Sequence, residues 1–405
     1  MGRDLWARSG CDALVNAPRG RVPPVLTWLV QMPSMTIKLA GEGRTWRFAG
    51  PGGVELGVEN LREAQPPEVA LLSHLPAFAG RVVIPHTGGS PLVPAVIAAL
   101  NPAAIVEIVE LDLHTARLLR EKLSTLRNIR VLCAADAGAV DLARQSGVLL
   151  LNERLDRLLA FDVIERLDHV LPAGSPVVAL MPKKRAPDFA RKLELHVLKR
   201  QMVPTGKGIV VVQGVSGGAP AVWTPREHAF DASTPTEKIR LVTRPGVFAH
   251  ARPDSGGLAL AESVEVQAGQ KILELGCGCG LVGLLLAARL KGAADFVLVD
   301  SNARAVECAR RGTELNGFPN IHIEHADVFQ PAADTFDVVL GNPPYFAQRR
   351  IAEYFIEVAA RALRSGGALW LVSKHGDEIE RLAAAYRFRI ETRHRRSYDI
   401  SHCRK

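Results

Sequence analysis

Displaced by 190 residues, the sequence matches itself. "RVVIPHTGGSPLVPAVIAAL" (81–100) falls on "KILELGCGCGLVGLLLAARL" (271–290), Glu110 falls on Asp300, and "VLLLNER" (148–154) falls on "VVLGNPP" (338–344). One offset held across three separated segments marks an internal duplication. Each copy reads as an apolar strand, a turn rich in Gly or Pro and an apolar helix, the repeating unit of a parallel sheet. A chain of 405 residues also exceeds the usual size of one core. The expectation is two tandem α/β domains, each with a mostly parallel sheet flanked by helices, the second ending in an antiparallel strand. The bounds read as a flexible extension (1–34), a first domain (35–213), a linker (214–245) and a second domain (246–405). Met35, which opens the more ordinary pattern "MTIKLAGEGRTWRF", is a candidate start of translation.

The second copy carries the chemistry. Gly276, Gly278 and Gly280 let backbone approach a ligand closely, and the helix that follows offers unpaired N–H groups, so a nucleotide-like ligand is implied. Gly278, Gly280 and Gly283 also satisfy G-x-G-x-x-G with Asp300 about 20 residues on, which makes an NAD site a rival. Three features count against NAD. Glu274 sits two residues before the first glycine, where it could hold a cationic amino group. Asp327 follows the third strand, "NIHIEHADVF", where a carboxylate can accept from an adenine amine. Asn342-Pro343-Pro344-Tyr345 then ends the fourth strand; its prolines fix φ and carry no N–H, giving a stiff loop with spare carbonyls.

These motifs in this order resemble the class I S-adenosylmethionine methyltransferases, and among them the NPPY subgroup, which methylates planar nitrogens of adenine, guanine or glutamine amides. The resemblance implies Rossmann-like domains and S-adenosylmethionine as cofactor. It implies Glu274, Gly276, Gly278, Gly280, Asp300 and Asp327 as cofactor-binding residues, with Phe248 near the cofactor, and Asn342, Pro343, Pro344 and Tyr345 as the catalytic set. An exocyclic amine is a poor nucleophile because its lone pair is delocalised. By analogy, the Asn342 side-chain oxygen and the Pro343 carbonyl would accept its two N–H protons and aim the lone pair, while Tyr345 stacks on the target ring. Such catalysis works by position and fixed dipoles and needs no strong base.

The first copy has lost these residues. Ile84 stands for Glu274, His86 for Gly276, Ala135 for Asp327 once two residues are allowed for, and Glu153-Arg154 for the prolines; Asn152 falls on Asn342 and reads as turn chemistry. This layout resembles the bacterial ribosomal RNA guanine-N2 methyltransferases, in which a degenerate first domain assists RNA binding or folding. The segment "TRPGVFAHARPDSGGLALAES" (243–263) is similar to that family's interdomain stretch. Family members often continue NPP with Phe-His, whereas here Tyr345-Phe346-Ala347 follow, which leaves the base open. The implied function is methylation of an exocyclic amine of ribosomal RNA, foremost guanine N2. Alternatives are a glutamine-N5 methyltransferase on a release factor, an N6-adenine nucleic-acid methyltransferase, and a non-enzymatic RNA-binding assembly protein.

Composition bears on partners. Lys plus Arg exceed Asp plus Glu by 50 − 42 = 8, which favours a polyanion. The segment 181–208 carries eight basic residues (Lys183, Lys184, Arg185, Arg191, Lys192, Lys199, Arg200, Lys207) against Asp188 and Glu194, and 349–405 carries thirteen against seven. Both suit RNA phosphates and equally suit solvated surface. The expected partner is ribosomal RNA or a ribosomal subunit, met by a monomer. Six scattered cysteines make no disulfide framework, and no apolar run is long enough to span a bilayer, so a reducing cytoplasm and no membrane are expected. Cys277 and Cys279 read as small filler in the glycine loop, and His322 and His325 as residues on opposite sides of a strand, so no metal is expected.

Overall fold

The computed structural model describes residues 34–78, 80–140, 145–151, 155–204, 208–218, 223–344 and 349–405. Strands such as "KILEL" and "DFVLVD" are apolar on both faces, which suits a parallel sheet covered by helices on either side. Ile272, Leu298, Val338 and Leu340 pack on one face against the helix Leu281–Arg289, while Leu273, Val299 and Val339 pack on the other against Phe355 and Ile356 of the helix Arg349–Ala362.

Two seven-stranded sheets result, with the same strand order. In the first the order is Ile129–Cys133, Ile105–Glu110, Arg81–Pro85, Gln145–Leu150, Pro176–Pro182, Ile209–Ser216, Val197–Pro204. In the second it is Ile321–His325, Asp295–Asp300, Lys271–Leu275, Phe336–Gly341, Leu363–Ser373, Tyr398–Arg404, Arg389–Arg395. Five strands of each are parallel and the sixth runs antiparallel to its neighbours. The antiparallel finish expected for the second domain alone therefore occurs in both. Strand order reverses between the strands starting at 81 and 145, and at 271 and 336, which opens a crevice at the carboxyl ends of each sheet.

The duplication holds in register. Glu110 pairs with Cys133 as Asp300 pairs with His325, so the first strands keep the offset of 190 while the third has moved to 325 − 133 = 192. Ala135 does stand at the place of Asp327. In the fourth strand Val83 pairs with Gly147 and Leu273 with Val339, an offset of 339 − 147 = 192, which brings Leu150 to the place of Asn342. The two residues inserted before the third strand account for the slip; Asn152 itself lies outside the described residues, as do Glu153 and Arg154.

The segments flanking the sheets belong to their cores. Residues 34–61 form a three-stranded sheet over the first domain, with Ile37, Leu56 and Val58 buried among Val82, Ile84 and Ile108. Within 214–245, His228–Ser233 and Lys238–Thr243 make a hairpin whose Ala232, Ile239 and Leu241 join the second domain's core.

The domains meet across a local two-fold. Leu113 donates its N–H to the Ser301 carbonyl (2.9 Å) and Ala303 donates to the Leu111 carbonyl (2.8 Å). Since 303 − 113 and 301 − 111 both equal 190, the same patch of each copy is used, as at a symmetric dimer interface. Side chains break the symmetry. Arg304, the counterpart of His114, is fully buried; Nε donates to the Ala135 carbonyl and Nη1 to the Pro245 carbonyl (both 2.6 Å), and Nη2 lies 2.6 Å from Asp162. Burial holds the Arg304 guanidinium below its usual pKa, opposed by Asp162. Removing one partner strands a buried charge. Asp162→Ala should therefore cost about 3–5 kcal/mol of stability, read by chemical denaturation, with the Asp162→Leu/Arg304→Met pair less destabilised than either single change.

Candidate active site

A cleft of about 780 Å³ lies at the carboxyl ends of the second sheet. Its floor is the glycine loop. Gly276, Gly278 and Gly280 have φ of 68°, 57° and 84°, left-handed values that side chains rarely adopt. A Cβ on Gly278 would point into open space, so the backbone there is bare to the cleft. Asp300 holds the loop in place: Oδ2 accepts from Gly278 N–H (2.7 Å) and Oδ1 from Asn302 N–H (2.8 Å). Burial nevertheless raises its carboxyl pKa against these two bonds.

Glu274 lies deeper, 4% exposed, with Oε2 accepting from Gly283 N–H at 2.8 Å. A Cβ on Gly283 would meet Oε2 at 2.7 Å, so glycine is required there for the bond to form. With one hydrogen bond and Asp300 nearby, burial pushes Glu274 up to about 8. Asp327, half-buried, faces the same cleft and is engaged by the first domain: Arg117 Nε donates to its Oδ2 at 2.8 Å, with His114 3.8 Å away. Asp112 accepts from Ser301 Oγ at 2.5 Å beside it.

The strand Phe336–Gly341 delivers Asn342, Pro343 and Pro344 to the mouth of this cleft. It ends in glycine because a Cβ on Gly341 would meet Phe355 at 2.6 Å. Asn342 donates from Nδ2 to Asp254 Oδ2 at 2.8 Å, and that same oxygen accepts from Gly257 N–H at 2.6 Å, capping the helix Ser255–Ser263. Phe248, 63% exposed, stands at the rim. The sequence-derived site residues therefore line one cleft, except Gly280, which shapes the loop behind it, and Tyr345, which lies outside the described residues. The cysteines of the loop are buried, and burial pushes Cys279 up to about 12. His322 is exposed beside Glu324, whereas His325 meets the first domain at the Cys133 thiol.

Sequence reading missed four residues of the site. Arg117, His114 and Asp112 come from the other domain, 210 positions from Asp327 in the case of Arg117, and no local pattern points to them. Asp254 lies in the quoted segment 243–263, but nothing local signals its bond to Asn342, 88 residues on.

Residues 238–400 match the family described as methyltransferase small domain. Ribosomal RNA small subunit methyltransferase C of Hahella chejuensis is 32% identical over 163 residues, 38% of this chain and 47% of that protein. The uncharacterized protein YbxB of Bacillus subtilis is 37% identical over 132 residues, 31% of this chain and 64% of that protein. The chain thus spans about half the length of the first of these curated relatives. A solved structure, the T. thermophilus 16S rRNA N2 G1207 methyltransferase (RsmC) in complex with AdoMet and guanosine, superposes over 89% of this chain and 98% of that one, with a TM-score of 0.66 and 22% identity. That match shows the fold of both domains, and the cleft lies in the one whose residues 238–400 match the family model. Among the described residues no helix is long and apolar enough to cross a membrane.

The buried Glu274 makes stability depend on pH. With a folded pKa near 8 and an ordinary unfolded value near 4.5, the folded protein keeps a proton that the unfolded chain gives up. Its contribution is most favourable below pH 4.5, falls as pH rises, and levels off above about 8. Glu274→Gln should remove this dependence and be more stable than the native protein at pH 8 by on the order of a few kcal/mol, measured as the difference between their urea unfolding curves at pH 5 and pH 8.

Proposed function

We propose that this chain transfers a methyl group from S-adenosylmethionine to an exocyclic amine of ribosomal RNA, guanine N2 of the small subunit being the reading best supported. The observation that carries it is the convergence of Asn342 and Pro343 on the cleft that the bare glycine loop floors and Glu274, Asp300 and Asp327 line. The Hahella chejuensis relative is named for small-subunit ribosomal RNA, which supports that RNA as the substrate, and the superposed RsmC is named for guanine N2 of 16S rRNA, which supports that amine.

The cleft suits the cofactor in size and donor set. It is large enough for a nucleoside with an amino-acid arm. Bound there, S-adenosylmethionine would supply a methyl made electrophilic by a sulfonium. Asp327 would accept from the adenine amine, with Arg117 holding the carboxylate. Asp300 would accept from the ribose hydroxyls while still closing the loop, and Glu274 would face the cationic amino group. Asn342 Oδ1 and the Pro343 carbonyl would accept the two protons of the target amine and direct its lone pair, and Tyr345 would stack on the base. Each of these groups orients or stabilises by fixed position, so little reorganisation is needed as charge moves.

The partner in this scheme is ribosomal RNA, free or within an immature subunit, met by a monomer in the cytoplasm. In the first domain Lys183, Lys184, Arg191 and Lys199 are exposed and suit phosphates, whereas Lys192 is paired with Glu165. The C-terminal arginines are less suited: Arg393 is paired with Glu391, and Arg395 and Arg396 both with Glu262.

Asn342→Ala should lower single-turnover methyl transfer to ribosomal RNA or immature subunits by about 10²–10³, with S-adenosylmethionine affinity nearly unchanged by calorimetry. Asp300→Ala should instead weaken cofactor binding by about 1–3 kcal/mol. Tight NAD binding without S-adenosylmethionine binding would overturn the proposal. Nucleoside mass spectrometry of ribosomal RNA from a strain lacking the gene should show one methylated guanosine missing from the small subunit.

A further inference from the structure

An amide side chain has two ends, and only one of them can serve the reaction. If Asn342 is to accept from the target amine, Oδ1 must face it; with the amide turned over, Nδ2 would meet the amine donor to donor. Rotation about the last torsion of asparagine is soft and roughly two-fold, so the side chain does not choose between these orientations by itself. Something beside it must.

Asp254 is placed to do so. Its Oδ2 lies 2.8 Å from Asn342 Nδ2, and a carboxylate oxygen accepts where Nδ2 donates. The same Oδ2 is anchored at 2.6 Å by the Gly257 N–H, at the start of a helix buried through Gly256, Gly257 and Leu258. The carboxylate is thus itself fixed by backbone, and both side chains line the cleft. Donation to a carboxylate also polarises the amide and makes its oxygen a better acceptor.

We propose that Asp254 is a positioning residue for methyl transfer: by accepting from Asn342 Nδ2 it sets the amide so that Oδ1 faces the incoming amine. This rests on the role given to Asn342 above. Asp254 touches no reacting atom, and its effect passes through Asn342 alone.

Four variants separate this role from helix capping and from the reading it rests on. Asp254→Ser keeps a capping hydroxyl but is too short to reach Asn342. Asp254→Asn keeps one oxygen that can accept from both Asn342 and Gly257. Asn342→Asp sets two carboxylates against each other, and Asp254→Asn in that background restores a donor between them. Single-turnover transfer to immature subunits, S-adenosylmethionine titration and thermal melting are measured on each, with Asn342→Ala as the reference. We expect Asp254→Ser to slow transfer by about 10- to 100-fold, the loss typical of a misplaced catalytic group, with cofactor affinity within about twofold. Asp254→Asn should retain most of the rate, and the double variant should exceed Asn342→Asp by about tenfold or more. If Asp254→Ser transfers at the native rate while Asn342→Ala is slow, the positioning role is wrong and the reading of Asn342 stands. If both are fully active, the reading of Asn342 fails as well. Should Asp254→Ser melt too low to assay, the two Asn342→Asp proteins decide: equal rates overturn the role.

Discussion

Two backbone hydrogen bonds around a local two-fold, Leu113 to Ser301 and Ala303 to Leu111, determine what each half of the molecule can do. They set the carboxyl ends of two like sheets against one another. Those ends are where a doubly wound sheet opens its ligand crevice. Each domain therefore stands over the crevice of the other, and the residues one copy presents become walls for its twin. On one side His114 and Arg117 reach the edge of an open cleft at Asp327; on the other, Arg304 drives into the place where the first copy has Ala135.

The two crevices share a backbone and differ in how their polar groups are satisfied. His86 keeps a φ of 58° where Gly276 has 68°, and its N–H donates to Val109 as that of Gly276 does to Val299. Yet in the first domain Glu110 is occupied by Thr87, through both N–H and hydroxyl, and the His86 ring closes over it at 3.6 Å. In the second, Glu274 and Asp300 are left with backbone donors alone, and burial raises both carboxyl pKa values against those bonds, with the Asp300 charge adding to the rise at Glu274 and the Asp112 charge to that at Asp300. Carboxylates gathered in a half-dry cleft are costly, and a cationic ligand would relieve them. The first copy has resolved that cost with its own side chains and with the buried Arg304–Asp162 pair; the second has kept it.

Much of this was legible in the sequence where the information is local. The repeat, the strand–loop–helix units and the glycines at 276, 278 and 280 follow from periodicity and from the conformations that only glycine adopts readily. The convergence of Glu274, Asp300, Asp327 and Asn342 also follows, because parallel strands end on the same side of their sheet. The two-residue slip of the fourth strand did not, since an insertion between strands is invisible to a fixed offset. Nor did the antiparallel finish of the first domain, whose strands carry no signal of direction.

By itself, then, the sequence determined that there would be two similar α/β domains, that the second would hold a nucleotide-sized cleft, and which strand ends would furnish its carboxylates and its amide. Tertiary structure alone decided which faces of the copies meet, that Arg117 would clasp Asp327 across the interface, that Arg304 would seal the other crevice, and that Asp254 would hold Asn342 by its nitrogen. The reason is physical. Strand, loop and helix patterns are set by neighbours within a few residues, whereas a hydrogen bond between residues 88 or 210 positions apart exists only once packing has placed its two ends at 2.8 Å.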